Sequence, residues 1–144
     1  MQLNHDCIRD ILLCVEECTD YTHFAHFHFV GDAQTYEYLG AQLHVPEYQA
    51  ALDTKYTNGT VLYHIRYCSD AGLLNAEPHG RDYFVSDLTA YGHEYLASIR
   101  DPERWVKTTS IASQVRSFSL DVIKSIAGGL AEGSVKSFLS ANGL

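Results

Sequence analysis

Apolar residues first recur at helical spacing at Ile8, Ile11, Leu12 and Val15, which predicts a helix over residues 4–18. Asn4 suits its N-cap, and Asp6 falls in the first turn, where a carboxylate complements the helix dipole. Thr19-Asp20 breaks the pattern. Residues 22–30, Thr-His-Phe-Ala-His-Phe-His-Phe-Val, are aromatic and β-prone, and Gly31-Asp32 closes them with a turn signal, so they read as a strand. Residues 33–45 fit either a hairpin extension or an irregular loop. Pro46 opens a short second helix running through about Leu52. After Thr57-Asn58-Gly59 a third helix is expected from Thr60 to Ala71, with Val61, Leu62, Ile65 and Cys68 as its apolar face and Gly72 at its C′ position. Leu73-Leu74 and Tyr83-Phe84-Val85 read as two strands around a turn containing Pro78 and Gly80. Asp87-Leu88-Thr89 leads into a fourth helix carrying Tyr91, Tyr95, Leu96 and Ile99, which Asp101-Pro102 stops or kinks. A long helical region follows, over roughly 103–116 and 119–139, with Ser119 as a candidate cap.

Helix, strand, helix, helix, strand, turn, strand, helix is the order of a winged helix-turn-helix. The expected class is therefore α+β: a winged-helix domain over residues 1–101 and a C-terminal helical extension over 102–144. The second and third helices would form the helix-turn-helix pair, and residues 73–86 the wing. A chain of 144 residues is long enough to bury about two-thirds of its unfolded surface in one core.

Charge changes this picture more than composition does. Residues 1–54 hold one basic residue, Arg9, against nine acidic ones, which accounts for the whole formal net charge of −8. Residues 55–144 balance, and within them Arg104 to Leu144 carries five basic against two acidic residues. Phosphate contacts dominate most nucleic-acid affinity, so a nucleic-acid face has to come from the second half. Cys7, Cys14 and Cys18 share a helical face and read as small buried hydrophobes, with Cys68 in another helix. No CxxC pair is present. Free thiols and no signal peptide read at the start lead to an expected cytoplasmic location, and the apolar stretches fall well short of a membrane span.

Four segments carry a resemblance. They are Met1-Gln2-Leu3-Asn4-His5-Asp6-Cys7-Ile8-Arg9-Asp10-Ile11-Leu12-Leu13; Val61-Leu62-Tyr63-His64-Ile65-Arg66-Tyr67 running into Asp70-Ala71-Gly72-Leu73; Asp87 to Leu96 with Ile99-Arg100-Asp101; and Ser119 to Ala127. In this order they resemble the phage and prophage family catalogued as DUF2513, related to the YjcQ-like proteins. The resemblance covers about half the chain and implies a winged-helix fold and a mobile-element origin. It implies no established activity and no catalytic residues. Residues 22–56 and the glycine-rich tail lie outside it.

The nucleic-acid reading of this frame uses Asn58, Thr60, Tyr63, His64, Arg66 and Tyr67 on the third helix, with Lys55 just before it. Such a helix enters the major groove, where Arg and Asn pair with base edges. His79 and Arg81 near the wing turn would contact phosphate. Asp70, Glu77 and Asp82 lie close by in the sequence and dilute the positive charge, and the alternative is that Tyr63, His64 and Tyr67 cover the core.

His26 and His28, two residues apart on a strand, point to one face, a recurring start for zinc sites that His44 or His23 could approach. Two histidines do not complete a site, and no metal or other cofactor is expected. No G-x-S-x-G, P-loop or H-E-x-x-H pattern is present, so the chain reads as a non-enzyme. In the extension, Val115, Phe118, Val122, Ile123, Ile126 and Leu130 form an apolar stripe interrupted by Gly128, Gly129, Ala131 and Gly133. Glycine inside a helix costs about 1 kcal/mol relative to alanine, so the run suggests a break or a close helix contact. The favoured reading is a homodimer through this stripe. The alternatives are a helix folded back on the chain's own first helix, or a membrane-surface helix using Lys124 and Lys136.

Two functions are consistent with these features. One is a regulator that binds double-stranded DNA through residues 57–67 and the wing. The other is an effector whose acidic front occupies a basic site on a host protein, such as a CRISPR nuclease or another defence component.

Overall fold

The computed structural model describes residues 1–31 and 45–132. Residues 33–44 with His44, and the end of the last expected helix with Lys136, lie outside the described residues. Helix α1 spans His5–Cys18; the Asn4 side chain caps it by accepting the Cys7 N–H at 3.0 Å. Strand β1 spans Ala25–Phe27, helix α2 Glu47–Lys55 and helix α3 Asn58–Asp70. Strands β2, Leu74–His79, and β3, Asp82–Leu88, form a hairpin, and helices α4, Ala90–Ile99, α5, Pro102–Val115, and α6, Leu120–Glu132, complete the described chain. The class is α+β, with six helices and a three-stranded antiparallel sheet in the order β1-β3-β2 among the described residues.

The chain divides into two compact units, Met1–His93 and Glu94–Leu144. The division falls inside α4, whereas the sequence reading places a boundary between residues 101 and 102.

In the first unit α3 packs on α1 and against β2. Ile8, Ile11, Leu12, Phe27, Val61, Ile65, Leu73 and Val85 are wholly buried there, each contributing about 1.5–3 kcal/mol of transfer free energy. β1 pairs with β3 at Ala25↔Val85, His26↔Phe84 and Phe27↔Tyr83. Only three of the nine residues expected as a strand are paired, and the reason lies in their free edge. There the backbone of His26 bonds the Tyr48 hydroxyl (N–H to Oη 2.9 Å). His28 bonds the Gln49 amide at both its N–H and its carbonyl, and the Val30 N–H bonds Asn58 Oδ1 at 2.9 Å. Side chains of α2 and α3 thus occupy the positions a fourth strand would take, which satisfies the edge and blocks further pairing.

Gly92 fixes where α4 starts. A Cβ there would sit 2.0 Å from the Leu73 carbonyl oxygen, so only glycine lets the helix approach that strand end.

In the second unit Asp101 caps α5 through the Glu103 and Arg104 N–H groups, with Pro102 at the first turn. Arg116, at φ 56°, ends α5 in the left-handed conformation, and Ser119 Oγ caps α6 by accepting the Val122 N–H at 3.2 Å. The helical region expected over 103–139 is therefore two helices packed on each other. Ile123 and Ile126 are wholly buried within the single chain, so the apolar stripe is not free as a whole. Phe118 stays exposed, while Val115, Val122 and Leu130 are partly so. A Cβ at Gly128 would meet nothing within 4 Å, so that glycine marks no close helix contact among the described residues. No described helix is long and apolar enough to cross a membrane.

Candidate functional site

Thr57 starts α3: its hydroxyl accepts the Thr60 N–H at 3.2 Å and bonds the Thr60 hydroxyl at 2.8 Å. The nine residues nominated for nucleic-acid contact then separate by helical phase. Tyr63 and Arg66 face solvent. Tyr67 is half-buried, and burial raises its phenol pKa. Thr60 is engaged in the cap. Asn58 and His64 face inward, which corrects their nomination as base-reading groups. His64 Nε2 accepts the Asn4 N–H at 2.8 Å, and its Nδ1–H donates to the Thr60 carbonyl at 2.8 Å, tying α3 to the start of α1. The helical spacing contains the signal: 58, 61, 65 and 68 share one stripe, and 64 lies three after 61 and four before 68. Lys55 is exposed but bonds Asp10 Oδ2 at 2.7 Å, a partner that raises its pKa.

The β2–β3 turn brings His79 and Arg81 to the surface, with Gly80 at φ 62° supplying the positive backbone angle the turn needs. The Arg81 guanidinium lies over the Phe29 ring, 4.8 Å from its centroid. Between this turn and α3 opens a cleft of about 300 Å³, lined by Phe29, Gly59, Tyr63, Arg66, Arg81 and Tyr83. Two guanidinium groups separated by fifteen positions in sequence thus border one cavity. Arg66 pairs with Asp70 at 4.0 Å and in solvent, a pair worth a few tenths of a kcal/mol at most.

The outer face of the sheet carries a second constellation. His26 Nε2–H donates to Asp82 Oδ2 at 2.9 Å, and His28 Nδ1 lies 3.6 Å from the same oxygen. The two imidazoles stack at 3.7 Å, and Asp82 Oδ1 accepts the Phe29 N–H at 2.8 Å. Burial first, then the neighbouring His26, lowers the His28 pKa, against the pull of Asp82. Backbone and histidine hydrogen bonds hold the Asp82 carboxyl below its usual range against desolvation, the largest opposing influence. Among the described residues this is one group of side chains able to share a metal ion. The sequence reading does not nominate the third member, Asp82, as a ligand and names it only as diluting the charge near the wing. His23 instead bonds Asp20 at 2.9 Å.

The thiols divide. Cys7 and Cys68 are wholly buried, while Cys14 and Cys18 are only half-buried and border a groove between α1 and α2. Burial pushes the Cys7 thiol up to about 12 and raises the other three, so all favour the un-nucleophilic protonated form. The same groove carries Asp10, Glu17 and Glu47. Three carboxylates of the acidic front are hydrogen-bonded within the chain: Asp10 by Lys55 and Tyr56, Asp20 by Thr22 and His23, Asp53 by Gln49 and Asn58.

No curated protein and no solved structure matches the chain. The family model described as "Hypothetical protein (DUF2513)" matches residues 2–119, which takes in the first unit, all of α5 and the resembling segments up to residue 119. On that match, the chain belongs to the DUF2513 family.

Proposed function

We propose that this protein is a non-enzymatic winged-helix regulator of phage or prophage origin that binds double-stranded DNA in the cytoplasm. The element order α1-β1-α2-α3-β2-β3 with sheet order β1-β3-β2 supports the winged-helix reading. The observation that carries the DNA reading is the cleft between α3 and the hairpin turn, where exposed Arg66 and Arg81 flank Tyr63. In this reading α3 enters the major groove with Tyr63 and Arg66 foremost, and Arg81 with His79 meets the flanking phosphates. Asn58 and His64 serve by holding α3 in place. A homodimer through Phe118 and its half-exposed neighbours would present two such faces to a two-fold operator.

The second reading, an acidic effector aimed at a basic site on a host defence protein, draws on the exposed Glu17 and Glu47 beside the α1–α2 groove. The internal engagement of Asp10, Asp20 and Asp53 leaves fewer free carboxylates for that role, and this weighs towards DNA.

Binding of the full chain to mixed-sequence duplex, followed by fluorescence anisotropy across a salt series, tests the proposal. Affinity should fall steeply with salt, and an Arg66→Ala/Arg81→Ala variant should lose about two units of the log–log slope. Absent binding at low salt, or a slope unchanged in the variant, would sink the assignment.

A further inference from the structure

We propose that His26, His28 and Asp82 form a binding site for a borderline divalent cation of the zinc class. Strand alternation places both imidazoles on the outer sheet face, and the β1–β3 register puts His26 opposite Phe84, two residues along β3 from Asp82. One ligand atom from each side chain lies within 4.8 Å of the other two.

The distances suit a small ion. Zinc sits about 2.0–2.2 Å from nitrogen and oxygen ligands, which places neighbouring ligands in a tetrahedral shell about 3.4 Å apart. The His26–Asp82 and His28–Asp82 separations, 2.9 and 3.6 Å, lie on either side of that spacing. The stacked rings are tilted by 29°, and their lone pairs have to converge by rotation about χ2, a broad and soft torsion for histidine. In the metal-free arrangement a proton on His26 Nε2 bridges to Asp82. The cation takes that proton's place at Nε2, and the neutral imidazole then carries its proton on Nδ1.

Asp82 is oriented for this. The Phe29 N–H holds Oδ1 at 2.8 Å and leaves Oδ2 directed at both imidazoles, the kind of outer contact that fixes a ligating carboxylate. The three side chains are 25–31% exposed, enough for an ion to enter and for water to fill a fourth position. Two imidazoles and one carboxylate select the zinc class over magnesium or calcium, which prefer all-oxygen shells.

The test uses the full chain stripped with a chelator and then titrated with Zn²⁺ by calorimetry, and with Co²⁺ as an optical probe. Wild type should bind one equivalent that His26→Ala/His28→Ala does not. His28→Ala alone should weaken affinity by more than about 100-fold, beyond the loss typical of an outer-contact change. The His28 backbone is held by Gln49 rather than by its own side chain, so this variant should keep the wild-type melting temperature in chelator. Zn²⁺ should raise the wild-type melting temperature and leave the variant's unchanged. The Co²⁺ complex of wild type should show the intense visible bands of a four- or five-coordinate site. Equal Zn²⁺ uptake by wild type and the double variant, or a Co²⁺ spectrum no different from the free aqueous ion, overturns the proposal. The Co²⁺ spectrum needs no variant, so a misfolded variant would still leave a decisive result.

Discussion

Gln49 grips the peptide backbone of His28 at both its polar groups: its Oε1 accepts the His28 N–H at 2.8 Å, and its Nε2 donates to the His28 carbonyl at 2.7 Å. The glutamine is wholly buried and acts as one rung of a missing strand. The carbonyl has a second donor in Asn58 Nδ2 at 3.0 Å, whereas the N–H donates to Gln49 Oε1. Gln49→Leu should therefore strand one buried donor and lower stability by about 1–3 kcal/mol. Chemical denaturation measures this, and a change within about 0.5 kcal/mol would mean that the edge is held otherwise.

His64 and Arg66, two positions apart on α3, should respond oppositely. His64→Leu leaves the Asn4 N–H without its acceptor and should lower stability by about 1–3 kcal/mol. Arg66→Ala, on the exposed face, should stay within about 0.5 kcal/mol of wild type while weakening DNA binding. Paired melting and anisotropy measurements check both halves. If His64→Leu melted like wild type, the inward assignment would fail.

Gly92→Ala drives a methyl group into the Leu73 carbonyl. The strained atom is backbone and cannot rotate away, so the cost should reach the upper part of the about 1–3 kcal/mol overpacking range or exceed it. Gly128→Ala, where nothing lies within 4 Å, should be neutral or stabilising by up to about 1 kcal/mol through helix propensity. Melting curves should show a clear drop for Gly92→Ala and no drop for Gly128→Ala.

Acid should weaken the fold through His5. Its pKa is lowered from 6.5, mainly by burial and then by the nearby His64. The unfolded chain then binds this proton more readily than the folded chain. Stability is therefore level above about pH 6.5, falls as pH drops below it, and levels again below the depressed folded value. His5→Gln should flatten that limb of a stability–pH curve between pH 7.5 and 5. A limb of unchanged slope would assign the effect to another group.

The helices were the most legible elements. Asn4, Pro46, Gly72, Asp101 and Ser119 act locally, so their signals survive without knowledge of the rest of the chain; up to the start of α6 the observed ends lie within about three residues of the expected ones, and the end expected near residue 139 lies outside the described residues. The β-prone run at residues 22–30 reads as a strand throughout, whereas only Ala25–Phe27 form one. Its later bonds go to Tyr48, Gln49 and Asn58, which lie about twenty to thirty residues away. For α3, the periodic stripe already placed Asn58 and His64 on the buried side, while their polarity argued for the surface. Burial won because each polar atom found a backbone partner, the condition under which a polar group is tolerated in a core.

By itself the sequence determined the local elements, the imbalance of charge between the front and the rest, and the family. These depend on neighbours along the chain or on simple counts. Only the tertiary structure decided that Arg66 and Arg81 border one cleft, that Asp82 joins His26 and His28, and that Ile123 and Ile126 are already covered. Each of those depends on strand register or on helix packing, which bring distant residues within a few ångströms and leave no periodic trace in the chain.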